Sequence, residues 1–245
     1  MKTKGPAEHI MATYVSLRIG MGVIALLFPP ILWIGGHICA HLSLQPSMSA
    51  YYHAGGGAMR DEFVGILFAV GVFLYLYKGY TIHENYALNL AGLFAVLVAI
   101  FPMEWDCGTG CKRFTVHGTC AILFFLCIAY VCIFRASDTL SQMTDQIKIK
   151  RYRTAYTLLG VGMIASPAIA FILTVVLQLQ RSIVFFVEAT GVYFFATYWL
   201  VKSWEIASTN VEEMAIHGKL RVIPFHMADT FRRLPVTRVE QSDKQ

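Results

Sequence analysis

Charge is what this 245-residue chain has least of. Charged residues make up only 14% of it, whereas hydrophobic residues make up 56%, and the mean hydropathy is +0.56. So little charge excludes an ordinary soluble domain of this length. The apolar runs lack strict alternation, which excludes membrane strands and leaves a helical bundle. No P-loop, dinucleotide fingerprint or Gly-x-Ser-x-Gly elbow occurs, which removes the commonest nucleotide and serine-hydrolase signatures. Internal repeats of the solenoid or inverted-transporter kind are missing as well. The first apolar run is much longer than a signal-peptide core and has no small-residue cleavage site, so it is expected to be retained.

Six apolar stretches are present, each near the 20 residues that a bilayer core requires. They cover Tyr14–Ala40, Phe63–Tyr80, Asn85–Met103, Phe114–Phe134, Ala155–Leu179 and Ser182–Val201. The expected fold is all-α: a polytopic bundle of six spans (1–202), followed by a polar tail (203–245). Arg60, Lys112, Arg113 and Arg181 fall in one set of loops, and the other sixteen of the twenty Lys and Arg lie on the opposite side. The positive-inside rule therefore predicts two cytoplasmic termini, and a bacterial inner membrane is the expected location. The net charge of +5 is explained by these topology-setting loops, and nothing accompanies it that would read nucleic acid. The stretch Ala136–Arg153 reads as a polar inner loop.

Topology sorts the ionisable residues. His37, His41, His53 and His117 fall at outer span ends or in an outer loop, together with Asp61, while Glu188 lies inside the sixth span. His37 and His41 are four residues apart, a spacing that places both rings on one face of a helix and suits a single metal ion. An interfacial pair in the wet headgroup zone is the plainer alternative. His53 and His117 supply the further nitrogens of a catalytic metal site. Asp61 reads either as a carboxylate favoured by a helix N-terminus or as a base on a metal-bound water. A carboxylate within a span, such as Glu188, must face the interior and find a partner. It serves either to lock packing or to move a proton. Cys107-Gly-Thr-Gly-Cys111 is expected to close a small disulfide loop.

Ser49-Ala-Tyr-Tyr-His53, followed by Asp61 and preceded by His37-Ile-Cys-Ala-His41, resembles the motifs of a membrane metallohydrolase superfamily. Its members include alkaline ceramidases, adiponectin receptors and the Per-type lipid-remodelling proteins. The resemblance implies an intramembrane zinc held by His37, His41 and His53, with Ser49 stabilising an oxyanion or water and Asp61 orienting the water. The chain departs from that superfamily in having six spans rather than seven, and in carrying the paired histidines in the first span rather than the last. Ser47–Ala54, Met59–Ala69 and Glu188 with Tyr198–Lys202 also resemble six-helix bacterial membrane proteins that have no assigned activity. That likeness spans most of the chain.

The expectation that follows is a zinc-dependent membrane hydrolase of a lipid ester or amide, with an outward-facing site. Ser49, Asp61 and Glu188 would be catalytic, and His37, His41, His53 and His117 would be ligands. Membrane lipid is the expected partner, and homo-oligomerisation is left open. The alternative is a receptor, channel or transporter with a polar outer vestibule. A haem site on His37 or His41 with His117 ranks below both, because the inner side offers no matching pair.

Overall fold

The computed structural model describes residues 6–106, 115–143, 145–177 and 182–209. Every long element among them is helical. Helix α1 (Pro6–Pro30) continues through a π-helical turn, Ile31–Gly35, into α2 (Gly36–Ala40). Pro29 and Pro30 account for that turn: a proline removes an amide donor and pushes the preceding carbonyl aside, so the ladder re-forms at wider spacing. A short 3-10 turn (Ser49–Tyr52) and α3 (Ala54–Gly57) lead to α4 (Arg60–Leu76) and α5 (Ile82–Ile100). Next comes α6 (Val116–Tyr130), prolonged by a π turn (Val131–Arg135) and a 3-10 helix (Ala136–Gln142). Helix α7 (Gln146–Phe171) contains Pro167 and ends in a third π turn, Ile172–Val176, and α8 (Ile183–Thr209) closes the described chain.

The six rods pack in sequence order. Each long helix lies against the next, α4 also touches α1, and α8 returns to α1, so the bundle closes on itself. The α4–α5 seam depends on two glycines. A Cβ on Gly71 would lie 2.8 Å from the Gly92 carbonyl oxygen, and one on Gly92 would lie 2.6 Å from that of Gly71. Small residues at that crossing let the backbones touch.

Burial is inverted relative to a water-soluble protein. Ile38 is 68% exposed and Leu158 64%, whereas Arg18, Lys202 and Glu205 are at most 1% exposed. Apolar outside and charged inside is the arrangement that a hydrocarbon solvent favours. Five helical runs are long and apolar enough to cross a membrane: His9–Ala40, Ile82–Ile100, Val116–Gln142, Gln146–Val176 and Ile183–Thr209. This is the build of an integral membrane protein.

Three expectations differ in detail. Helix α4 has 17 residues and falls just short of that length, because Tyr77 turns to extended backbone where the sequence suggested continuation to Tyr80. Ala136–Arg153 is not an open polar loop: its first residues are helical and buried from Ala136 to Leu140, and α7 begins at Gln146. Helix α8 runs past Lys202 to Thr209. The Cys107–Cys111 loop and the tail from 210 onward lie outside the described residues.

Candidate active site

The site is built where α5 ends and α6 begins. A helix leaves its last carbonyls without helical partners, and in α5 those of Val98 and Phe101 are satisfied from outside. His117 is the second residue of α6, whose N-cap Thr115 accepts the Gly118 amide. Its Nδ1 lies 3.1 Å from Val98 O and 2.9 Å from Phe101 O. Both neighbours are acceptors, so the network assigns the ring proton to Nδ1. That leaves the Nε2 lone pair free to accept, and Ser49 Oγ is 2.8 Å from it. His117 is buried and stacks near Phe63, while Ser49 is partly exposed.

The turn that carries Ser49 is held against α8. Glu188 Oε2 accepts the Met48 amide at 2.7 Å, and Pro46 O accepts the Phe185 amide at 3.0 Å. Ser47 Oγ accepts the Ala50 amide. Tyr51, completely buried against Phe185, receives the Gln45 amide on its hydroxyl. Burial pushes the Tyr51 phenol above its ordinary value. Ser49, His117 and Glu188, which stand on three distant segments, are thus brought together by hydrogen bonds.

The other sequence-predicted residues are placed differently. His53 Nε2 lies 2.9 Å from Met103 O, and its ring stacks on Trp105. Asp61 is exposed in the first turn of α4, where the helix dipole favours a carboxylate. His37 is exposed on α2, and His41 stands beyond the helix end with a left-handed backbone, φ 53°. The amides of His41 and Leu42 both return to Gly36 O, so the His37–His41 spacing is not that of an uninterrupted helix.

The zinc that the superfamily resemblance implies would need three or more of these side chains to converge. Both His117 nitrogens are engaged, and among the described residues no three His, Cys, Asp or Glu side chains gather as a metal-ligating group. The histidines as placed do not supply a zinc donor set.

A second polar cluster was missed by the sequence reading. Lys202 Nζ donates to Ala136 O (2.8 Å), Thr139 Oγ1 (2.6 Å) and Glu205 Oε2 (2.6 Å). Tyr156 donates to the same carboxylate oxygen, and Thr139 donates to the other. The signal was present in α8, where Gly191, Phe195, Tyr198, Lys202 and Glu205 are all buried. They recur at helical spacing on a single face.

Comparison of the chain with family models, curated proteins and solved structures finds no match.

Proposed function

We propose that this protein is a membrane hydrolase that cleaves a lipid ester or amide with Ser49 as nucleophile and His117 as general base. One observation carries the reading: the 2.8 Å contact between Ser49 Oγ and His117 Nε2, with Nδ1–H directed at two helix-end carbonyls. A nucleophile, a base and a group that orients the base form the arrangement of acyl-transfer sites. His117 takes the hydroxyl proton as Ser49 Oγ attacks the carbonyl carbon, and it gives that proton to the departing alcohol or amine. Water then attacks the acyl-serine, transferring a proton to His117 and so to Ser49. The carbonyls of Val98 and Phe101 lie at the negative end of α5, which favours the transient imidazolium.

The exposed apolar residues along the long helices support a lipid substrate, since they put the site within reach of the bilayer. Helix α4 serves as a sixth span, and the Lys and Arg bias favours two cytoplasmic termini with the Ser49 end outside. A bacterial inner membrane suits that orientation. Its chemistry rests on Ser49 and His117 rather than on zinc-bound water, because the four histidines form no common donor set among the described residues.

A fluorophosphonate probe applied to detergent-purified protein tests the proposal, together with release of fatty acid from mixed lipid micelles. Ser49→Ala is expected to abolish both signals. Labelling that survives Ser49→Ala, or a folded wild type that neither labels nor hydrolyses, would sink it.

A further inference from the structure

At the other end of α8 from Glu188 lies a cluster that the hydrolase chemistry does not use. Glu188 and Lys202 are 14 residues apart on α8, or about 21 Å of helix rise. Val70, Leu88, Ala91, Met163 and Phe195 are buried between the two ends.

The cluster is closed and dense. An ammonium has three protons, and all three on Lys202 are taken, by Ala136 O, Thr139 Oγ1 and Glu205 Oε2. Glu205 also receives the Tyr156 and Thr139 hydroxyls. The Lys202 ammonium stands 5.3 Å over the Tyr156 ring. Beside it, Arg135 and Asp138 pair at 2.6 Å. Ionic groups withdrawn from both water and lipid are costly, and removing one partner leaves the other stranded.

A second, independent irregularity coincides with it. Helix α6 changes from α to π spacing at Val131–Arg135 and then to 3-10 spacing at Ala136–Gln142. No proline lies in this stretch or in α6 before it, whereas Pro29 and Pro30 directly precede the first π turn and Pro167 lies in α7 ahead of the third. π turns inside a helical run are frequent at functional sites, and a change to 3-10 spacing often accompanies a hinge. Both residues of the 3-10 helix that Lys202 grips, Ala136 and Thr139, lie just past the change.

We propose that Lys202 and Glu205 form an ionic latch that holds the hinged end of α6 shut against α7 and α8, and that this end of the bundle opens when the latch is released. The proposal does not depend on the hydrolase reading. Helices α6 and α8 carry His117 and Glu188 at one end and the latch at the other. Opening at the Lys202 end therefore acts on helices that also frame Ser49.

The protein carries its own reporter. Cys132 sits in the π turn, fully buried, within electrostatic reach of Lys202. In full-length protein whose other five cysteines are replaced by alanine, Cys132 is expected to resist N-ethylmaleimide. Lys202→Met is expected to raise its labelling rate about tenfold or more, and Thr139→Val by a few fold, since protection from such probes tracks the local opening equilibrium. Thr139→Val keeps every charge and a similar shape, so it decides the matter alone if Lys202→Met does not yield monodisperse protein. Wild-type Cys132 that labels as fast as in denatured protein would overturn the latch. So would protection that persists in both folded variants, or in Thr139→Val when only that variant is folded.

Discussion

Ser49 and His117 are 68 positions apart in the chain, yet Oγ and Nε2 meet at 2.8 Å. Neither residue is aligned by its own helix alone. The carbonyls at the end of α5 fix the imidazole, and a turn pinned to α8 fixes the hydroxyl. The pair therefore reports on the packing of three helices at once, and its reactivity is sensitive to any one of them.

His117→Gln follows directly. Glutamine is close in size and can still bond to the helix-end carbonyls, but it is no base at neutral pH. Loss of general-base assistance is expected to slow fluorophosphonate labelling of Ser49 by about a hundredfold or more. Thermal unfolding of the detergent-solubilised protein should move far less than the labelling rate. Equal losses in both would assign His117 to packing alone.

The bundle was legible in the sequence because it is written in long apolar runs, and each predicted span overlaps a helix by most of its length. The site was legible only as an inventory. His117 and Glu188 were singled out by residue type and by their end of the membrane, and Ser49 by a motif resemblance. Their pairing could not be read, because it depends on where α5 ends and which of its carbonyls are left over. The local geometry of the paired-histidine motif was hidden for a similar reason. The spacing of His37 and His41 implies one helical face, but the chain leaves the helix at His41, whose left-handed backbone carries no sequence signal. Lys202 and Glu205 were overlooked because a charge after an apolar run reads as the end of a span. Here the same helical face continues inward instead.

Replacement of both His37 and His41 by alanine tests the metal reading. Both side chains are exposed, and substitutions at such positions usually change stability by no more than about 0.5 kcal/mol. The double variant should melt with the wild type and label at Ser49 at the same rate. Stoichiometric zinc in the purified wild type, lost in the double variant together with activity, would restore the metallohydrolase mechanism.

Tyr51 gives a prediction at alkaline pH. The unfolded chain ionises a tyrosine near pH ~10, while the buried phenol keeps its proton to higher pH. The folded state therefore holds this contribution below that pH and loses it as pH rises through the folded value. Tyr51→Phe removes only a long contact of 3.4 Å to the Gln45 amide. It is expected to melt close to the wild type at pH 8 and to lose less stability between pH 9 and 11. Parallel alkaline limbs in the two proteins would mean that Tyr51 ionises freely in the fold.

Glu188 separates the hydrolase from a transport protein. Its carboxylate accepts the Met48 amide at 2.7 Å, and through that bond α8 holds the turn on which Ser49 is mounted. Glutamine preserves a carbonyl acceptor at nearly the same place, so Glu188→Gln should keep most of the stability and much of the Ser49 labelling. Alanine leaves the amide without its partner, which is expected to cost about 1–3 kcal/mol and to slow labelling as the turn loosens. A proton path would show the opposite dependence, because glutamine has no ionisable group with which to take up and release a proton, whatever its shape. Reconstituted liposomes under a pH gradient distinguish the two. Flux carried by the wild type and abolished by Glu188→Gln would make Glu188 a proton carrier. Absence of such flux, with Ser49 labelling ranked wild type, then Glu188→Gln, then Glu188→Ala, would make it the residue that positions the nucleophile.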